Sequence, residues 1–157
     1  MKTVIIGVGN PILSDDGVGI AVVRSLASDF EEGRDTELRE CFSGGLRLME
    51  AMVGFDRALV IDALLSPELP PGTITEVPLS SLVSTKNSSC SHDATLLQAL
   101  EMGRSLGLAL PKEIRLLGIV AQDATTFSET LSPSVAAALG QARERVLRLL
   151  AEKGEIR

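Results

Sequence analysis

The sequence of 157 residues has no tryptophan, no tyrosine, four phenylalanines, one histidine and two cysteines. Cys41 and Cys90 form no C-x-x-C pair and belong to no four-cysteine set, which excludes a zinc finger and a disulfide framework; reduced thiols are expected. There is no basic run and no cluster of Lys or Arg interleaved with aromatics, and the formal charge is −6, from 15 basic against 21 acidic residues. The electrostatic footprint of a nucleic-acid binder is therefore missing. No apolar run approaches the ~18–20 residues of a spanning helix. Met1-Lys2 leads straight into a short β-like stretch without a signal-peptide pattern, so no membrane partner and a cytoplasmic location are expected.

What is present is a hydrophobic fraction of 45% and a charged fraction of 23%, the profile of one globular domain over residues 1–157. A chain of this size buries roughly 68–70% of its unfolded surface, enough for a core without staples. Residues 2–8 form a β-branched run stopped by Gly7-Val8-Gly9-Asn10-Pro11, which predicts a buried strand feeding a loop. Apolar residues at helical spacing predict a helix over 17–27, with Asp15 and Asp16 suited to its N-terminus. A strand over 36–42, a short helix over 46–53 and a buried strand over 57–61 ending at Asp62 follow. Residues 73–77 lie between Pro71 and Pro78 and read as an edge strand; 80–91 read as a loop. A helix over 93–106, a core strand over 113–121 and a last helix opened by Ser132-Pro133 complete the chain. Alternating strands and helices imply a three-layer α/β/α sandwich on a mostly parallel, twisted sheet.

Ligands of open α/β sheets bind beyond the carboxyl ends of the strands, which directs attention to Asn10, Asp15 and Asp16, to Asp62, and to Cys90, Ser91, His92 and Asp93. Gly7-Val8-Gly9 suggests a dinucleotide loop, but Ile12 stands where the third glycine of G-x-G-x-x-G is needed, and two carboxylates would face the phosphate. Asp16, Asp62 and His92 together offer two hard oxygens and one imidazole nitrogen, a set that suits a divalent transition ion with positions left open. Taken singly each has a plainer role: Asp15 and Asp16 as helix caps, Asp62 as a turn former bonding its own backbone, His92 as a solvated loop residue. A thiolate at Cys90 activated by His92 is a rival chemistry, although the two come from one loop and free cysteine is more often a small buried hydrophobe. Ser43-Gly44-Gly45 is not a nucleophile elbow and reads as a turn or a backbone-lined wall.

The opening Gly7-Val8-Gly9-Asn10-Pro11-Ile12-Leu13-Ser14-Asp15-Asp16-Gly17-Val18-Gly19 resembles the signature of the endopeptidases that mature nickel-iron hydrogenases by clipping the C-terminal tail of the large-subunit precursor. Leu59-Val60-Ile61-Asp62-Ala63, Ser91-His92-Asp93-Ala94-Thr95-Leu96 and Leu131-Ser132-Pro133-Ser134-Val135 are similar to the same family, so the resemblance spans most of the chain. It implies an α/β/α sandwich and makes Asp16, Asp62 and His92 the catalytic, metal-contacting residues. The resemblance further implies a nickel brought by the precursor, so that only a loaded large subunit would be cut. Other divalent transition ions would substitute. Asp15 and Asn10 would orient the ligands. Two other readings stay open: a metal-sensing checkpoint or chaperone that does not cleave, which would leave the mass of its partner unchanged, and a Cys90/His92 hydrolase, which Cys90→Ala would inactivate.

Overall fold

The computed structural model describes residues 1–30, 34–79 and 95–152. Five strands form one sheet in the order β2-β1-β3-β5-β4: β1 (Thr3–Val8), β2 (Thr36–Cys41), β3 (Arg57–Leu64), β4 (Ile74–Val77) and β5 (Glu113–Val120). All pairs are parallel except β4 with β5, which places the proline-flanked β4 at an edge, as its sequence predicts. The helices are α1 (Val18–Ser25), α2 (Leu46–Met52), α3 (Leu96–Ser105) and α4 (Pro133–Ala151), with a 3-10 turn, Ser14–Gly17, ahead of α1.

Strand side chains alternate between two cores. Val4, Ile6, Val8, Val60 and Leu116 pack with Met52 of α2 and Leu100 of α3. Ile5, Leu59, Ile61, Leu117 and Ile119 pack with Val22 of α1 and Val146 of α4 on the other face. This is the expected three-layer sandwich, with both faces of a parallel sheet covered by helices. α3 begins at Leu96, later than position 93, because Thr95 closes a capping box: its hydroxyl accepts from Gln98 N at 3.2 Å and Gln98 Oε1 accepts from Thr95 N at 3.0 Å. The predicted loop over 80–91 lies wholly outside the described residues.

Charge is placed where the sheet needs fastening. The guanidinium of Arg57, 3% exposed, donates to the Leu149 and Leu150 carbonyls at 2.5 and 3.3 Å and so satisfies the last turn of α4. At the β4 edge Arg115 makes two bonds to Glu76, at 2.6 and 2.9 Å, and a third to Glu152 at 2.8 Å. Arg115 holds the Glu76 carboxyl below its ordinary value of 4.5. Such a group stabilises the fold fully above its unfolded pKa and loses that contribution as pH falls through the lower folded value. Glu76→Gln should cost about 0.5–1 kcal/mol at neutral pH. The gap from wild type should close as denaturant melts are taken from about pH 6 to about pH 3; a gap that stays constant would contradict this account.

Candidate active site

β1 stops at Val8, and the chain turns at Gly9 into the segment that carries the acidic pair. Gly9 has φ +144°, and a Cβ there would lie 1.9 Å from the Asp16 carbonyl oxygen, so only glycine lets the end of β1 approach the 3-10 turn this closely. Asp16 is 2% exposed, and its Oδ2 accepts from Asn10 N at 2.9 Å. Asn10 also accepts from Ile12 N at 3.1 Å through its side chain. Asn10 thus positions Asp16 as expected, but with its backbone, while its side chain shapes the turn.

Asp62 is not the end of its strand as predicted: β3 continues to Leu64, because beyond Ile61 it loses β1 as a neighbour but keeps β5, with Asp62 level with Gly118 and Leu64 with Val120. Asp62 therefore sits on a rigid ladder at the height where β1 has already turned away. It is 4% exposed, and its Oδ1 accepts from Ala63 N at 2.8 Å, the self-bond expected of a turn former but made inside a strand. The 3-10 turn holding Asp16 packs against β3. That approach depends on Gly19, where a Cβ would fall 2.2 Å from the Ile61 carbonyl oxygen, immediately before Asp62. A Cβ on Gly7 would in turn meet the Gly19 carbonyl at 2.4 Å. The glycines of the G-x-G string serve this backbone packing. Gly19→Ala should cost about 1–3 kcal/mol by overpacking and lower peptidase activity, both measurable by urea melts and substrate cleavage; wild-type values for both would show that the contact yields freely.

Asp15 has a different task from its neighbour. No side chain caps the 3-10 turn or α1, so the capping role expected of the acidic pair is not taken up. Asp15 is fully buried, and its carboxylate accepts four bonds: Oδ2 from Gln122 N, Asp123 N and Ser132 Oγ at 2.9, 2.9 and 2.7 Å, and Oδ1 from Ser132 N at 2.7 Å. It fastens the segment after β5, and the start of α4, to the turn that bears Asp16. Ser132 occupies the N-cap position of α4 as predicted, but its hydroxyl donates to Asp15 and caps nothing.

Sequence reasoning passed over Cys41. It ends β2 level with Val8, one strand further from Asp62, and its thiol donates to the Ser43 carbonyl at 2.8 Å. Burial pushes the Cys41 thiol pKa up; the negative charge of Asp62 adds to this and Arg47 opposes it. The strand register reveals the placement, since Cys41 and Val8 are level and end β2 and β1 at the carboxyl side of the sheet. Cys90, Ser91, His92 and Asp93 lie outside the described residues. Among the described residues no three His, Cys, Asp or Glu side chains form a group that could hold a metal; of the three residues expected to contact one, Asp16 and Asp62 are described and His92 is not. No helix among the described residues is long and apolar enough to cross a membrane.

Comparison with known proteins agrees with this geometry. The profile of the hydrogenase maturation protease family matches residues 20–149. The hydrogenase 2 maturation protease of Escherichia coli is 30% identical, over 98% of this chain and 93% of its own length. The hydrogenase expression/formation protein HupD of Thiocapsa roseopersicina is 26% identical over 99% of this chain and 70% of its own. Among solved structures, the hydrogenase maturating endopeptidase HybD from E. coli superposes with a TM-score of 0.81 at 27% identity, covering 98% of this chain and 94% of that one. The maturation protease HybD from Thermococcus kodakarensis gives 0.67 at 25% identity, covering 95% and 99%. An α/β sandwich with this sheet order, a buried acidic pair at its carboxyl edge and a match over most of its length identify the chain as a member of the hydrogenase maturation protease family, and hence as a peptidase.

Proposed function

We propose that this peptidase removes the C-terminal extension of a nickel-iron hydrogenase large-subunit precursor, and that nickel already inserted in the precursor is the recognition element, met by Asp16, Asp62 and His92. One observation carries the reading: Asp16 and Asp62, 2% and 4% exposed, come from separate elements that three glycines bring to one edge of the sheet. Two buried carboxylates on adjoining elements offer hard oxygen donors to a divalent ion, and a metal brought by the substrate would meet them only when the correct substrate is bound. His92 enters from the family resemblance.

The substrate tail would cross the carboxyl edge, where an open cleft of about 550 Å³, lined by Cys41, Phe42, Ser43 and Arg47, gives an extended chain room at the end of β2. With the precursor seated, its nickel polarises the scissile carbonyl or acidifies a bound water. The water oxygen bonds to the carbonyl carbon, the C–N bond breaks, and the proton passes to the leaving amine. Asp16, held by Asn10 N, and Asp62, held by its strand, keep fixed positions while this occurs.

The test is to incubate the purified protein with nickel-loaded and with nickel-free precursor and to weigh the products. Shortening of the loaded precursor alone is expected. Equal cutting of both would remove nickel as the recognition element, and loss of cutting in Cys90→Ala with Asp62→Asn still active would transfer the chemistry to the thiol.

A further inference from the structure

Two of the four phenylalanines are exposed, Phe42 by 64% and Phe127 by 81%. Phe127 is held firmly in that position. Ser128 N donates to the Ile12 carbonyl at 2.9 Å and Ser14 N to the Ser128 carbonyl at 2.8 Å, a parallel bridge with Leu13 opposite Ser128. In that register Ile12 is level with Phe127, and level residues of a parallel pair project to the same side. Ile12 is itself 46% exposed, so the two make an apolar step open to water. Behind it the buried Asp15 clamps residues 122, 123 and 132, and Asp123 accepts from Thr125 N and Thr126 N at 3.0 Å each, which fixes the turn leading to Phe127. Acidic residues flank Phe127 in the chain: hydrogen bonds from Thr126 and Thr125 hold the Asp123 carboxyl at about 2, and exposed Glu129 follows two residues after Phe127, where Arg24, itself paired with Glu40, feels its charge. Asp16 lies in the same turn as Ile12, four residues on.

We infer that Ile12 and Phe127 form a docking step for the hydrogenase large-subunit precursor, which seats on it an apolar side chain flanked by lysine or arginine, and that this step helps to choose the precursor that is cut. The inference rests on the proposed function and adds to it the chemistry of the contacting segment. Three features favour this occupant. The step lies on the segment that carries Asp16, four residues on from Ile12, so a protein seated there is held at that segment. The step is already ordered, so binding incurs little loss of loop freedom. An aromatic anchor between two carboxylates matches an apolar residue between cations and repels an acidic segment.

The test measures affinity for nickel-loaded precursor by calorimetry, and processing by mass, for wild type, Phe127→Ser, Ile12→Ser and Phe127→Leu. Both positions are exposed, and urea melts matching wild type would confirm intact folds. Each serine variant should raise Kd and KM by about tenfold or more, with kcat falling far less, and leucine at 127 should recover most of the loss. Raising salt from about 0.05 to about 0.5 M should weaken wild-type binding, because the flanking contacts are screened. Unchanged Kd in both serine variants would overturn the docking step while leaving the peptidase reading intact. Wild type that binds the precursor without shortening it would overturn the peptidase reading, and the variants' Kd values would still decide the step. Wild type that neither binds nor cuts would overturn both.

Discussion

Asp15→Ala is expected to destabilise the protein by at least about 3 kcal/mol, the largest loss of any single surface-remote substitution at this edge. The side chain has no solvent exposure and is the acceptor for three backbone N–H groups and one hydroxyl. Truncation leaves those part-buried donors with nothing to accept them, and each orphaned donor costs about 1–3 kcal/mol, less where water reaches it. Asparagine is no remedy: Oδ2 alone receives three of the four donors and Oδ1 the fourth, so either orientation of the amide points an N–H₂ group at another donor. Small domains hold only about 5–15 kcal/mol in total, so urea melts should show a clear drop in midpoint for both variants. A loss under about 1 kcal/mol would mean that the segment after β5 is held by its other contacts and that Asp15 is incidental.

Asp62→Asn should have the reverse profile, with stability within about 1 kcal/mol of wild type and processing reduced by at least about 100-fold. The amide keeps the volume of the carboxylate and can still accept from Ala63 N, so neither the strand nor the packing should change. What is lost is the negative charge, and with it the second of the two oxygen donors proposed to meet the precursor's nickel. Far-UV dichroism and a urea melt establish the fold, and the mass of the precursor reports the reaction. Because the chain lacks tryptophan and tyrosine, metal contact has to be followed by calorimetry or metal analysis. Wild-type processing by Asp62→Asn would remove this residue from the chemistry.

The layers and the sheet were readable from periodicity because each strand is a short apolar run between turn residues, and the faces of α1 and α4 repeat at three- and four-residue spacing. Element ends were less legible. Asp62 looked like a terminus because a charged residue after Arg57-Ala58-Leu59-Val60-Ile61 normally closes a strand, yet β5 continues alongside and carries β3 two residues further. The site divides in the same way. Asp16 and Asp62 could be nominated from their positions after strands, and the family resemblance separated Asp16 from its supporting neighbour Asp15, but what Asp15 holds in place was not legible. Asp15 faces residues 122, 123 and 132, a relation across more than a hundred positions that local pattern does not encode. Exposed Phe127 was equally silent, since its meaning comes from the register with Ile12.

The bonds that Asp15 makes to Ser132 close a loop of 117 residues. During synthesis the acidic turn emerges early and must wait for the start of the last helix, on the order of ten seconds later at about 5–20 residues per second. Until then the segment that steadies Asp16 has no anchor, and a nascent chain stalled before Ser132 holds its carboxylates without the frame that aligns them. A peptidase whose acidic turn is framed by the start of α4 ties its site to an element more than a hundred residues away, so the edge takes its final form only when both have folded together.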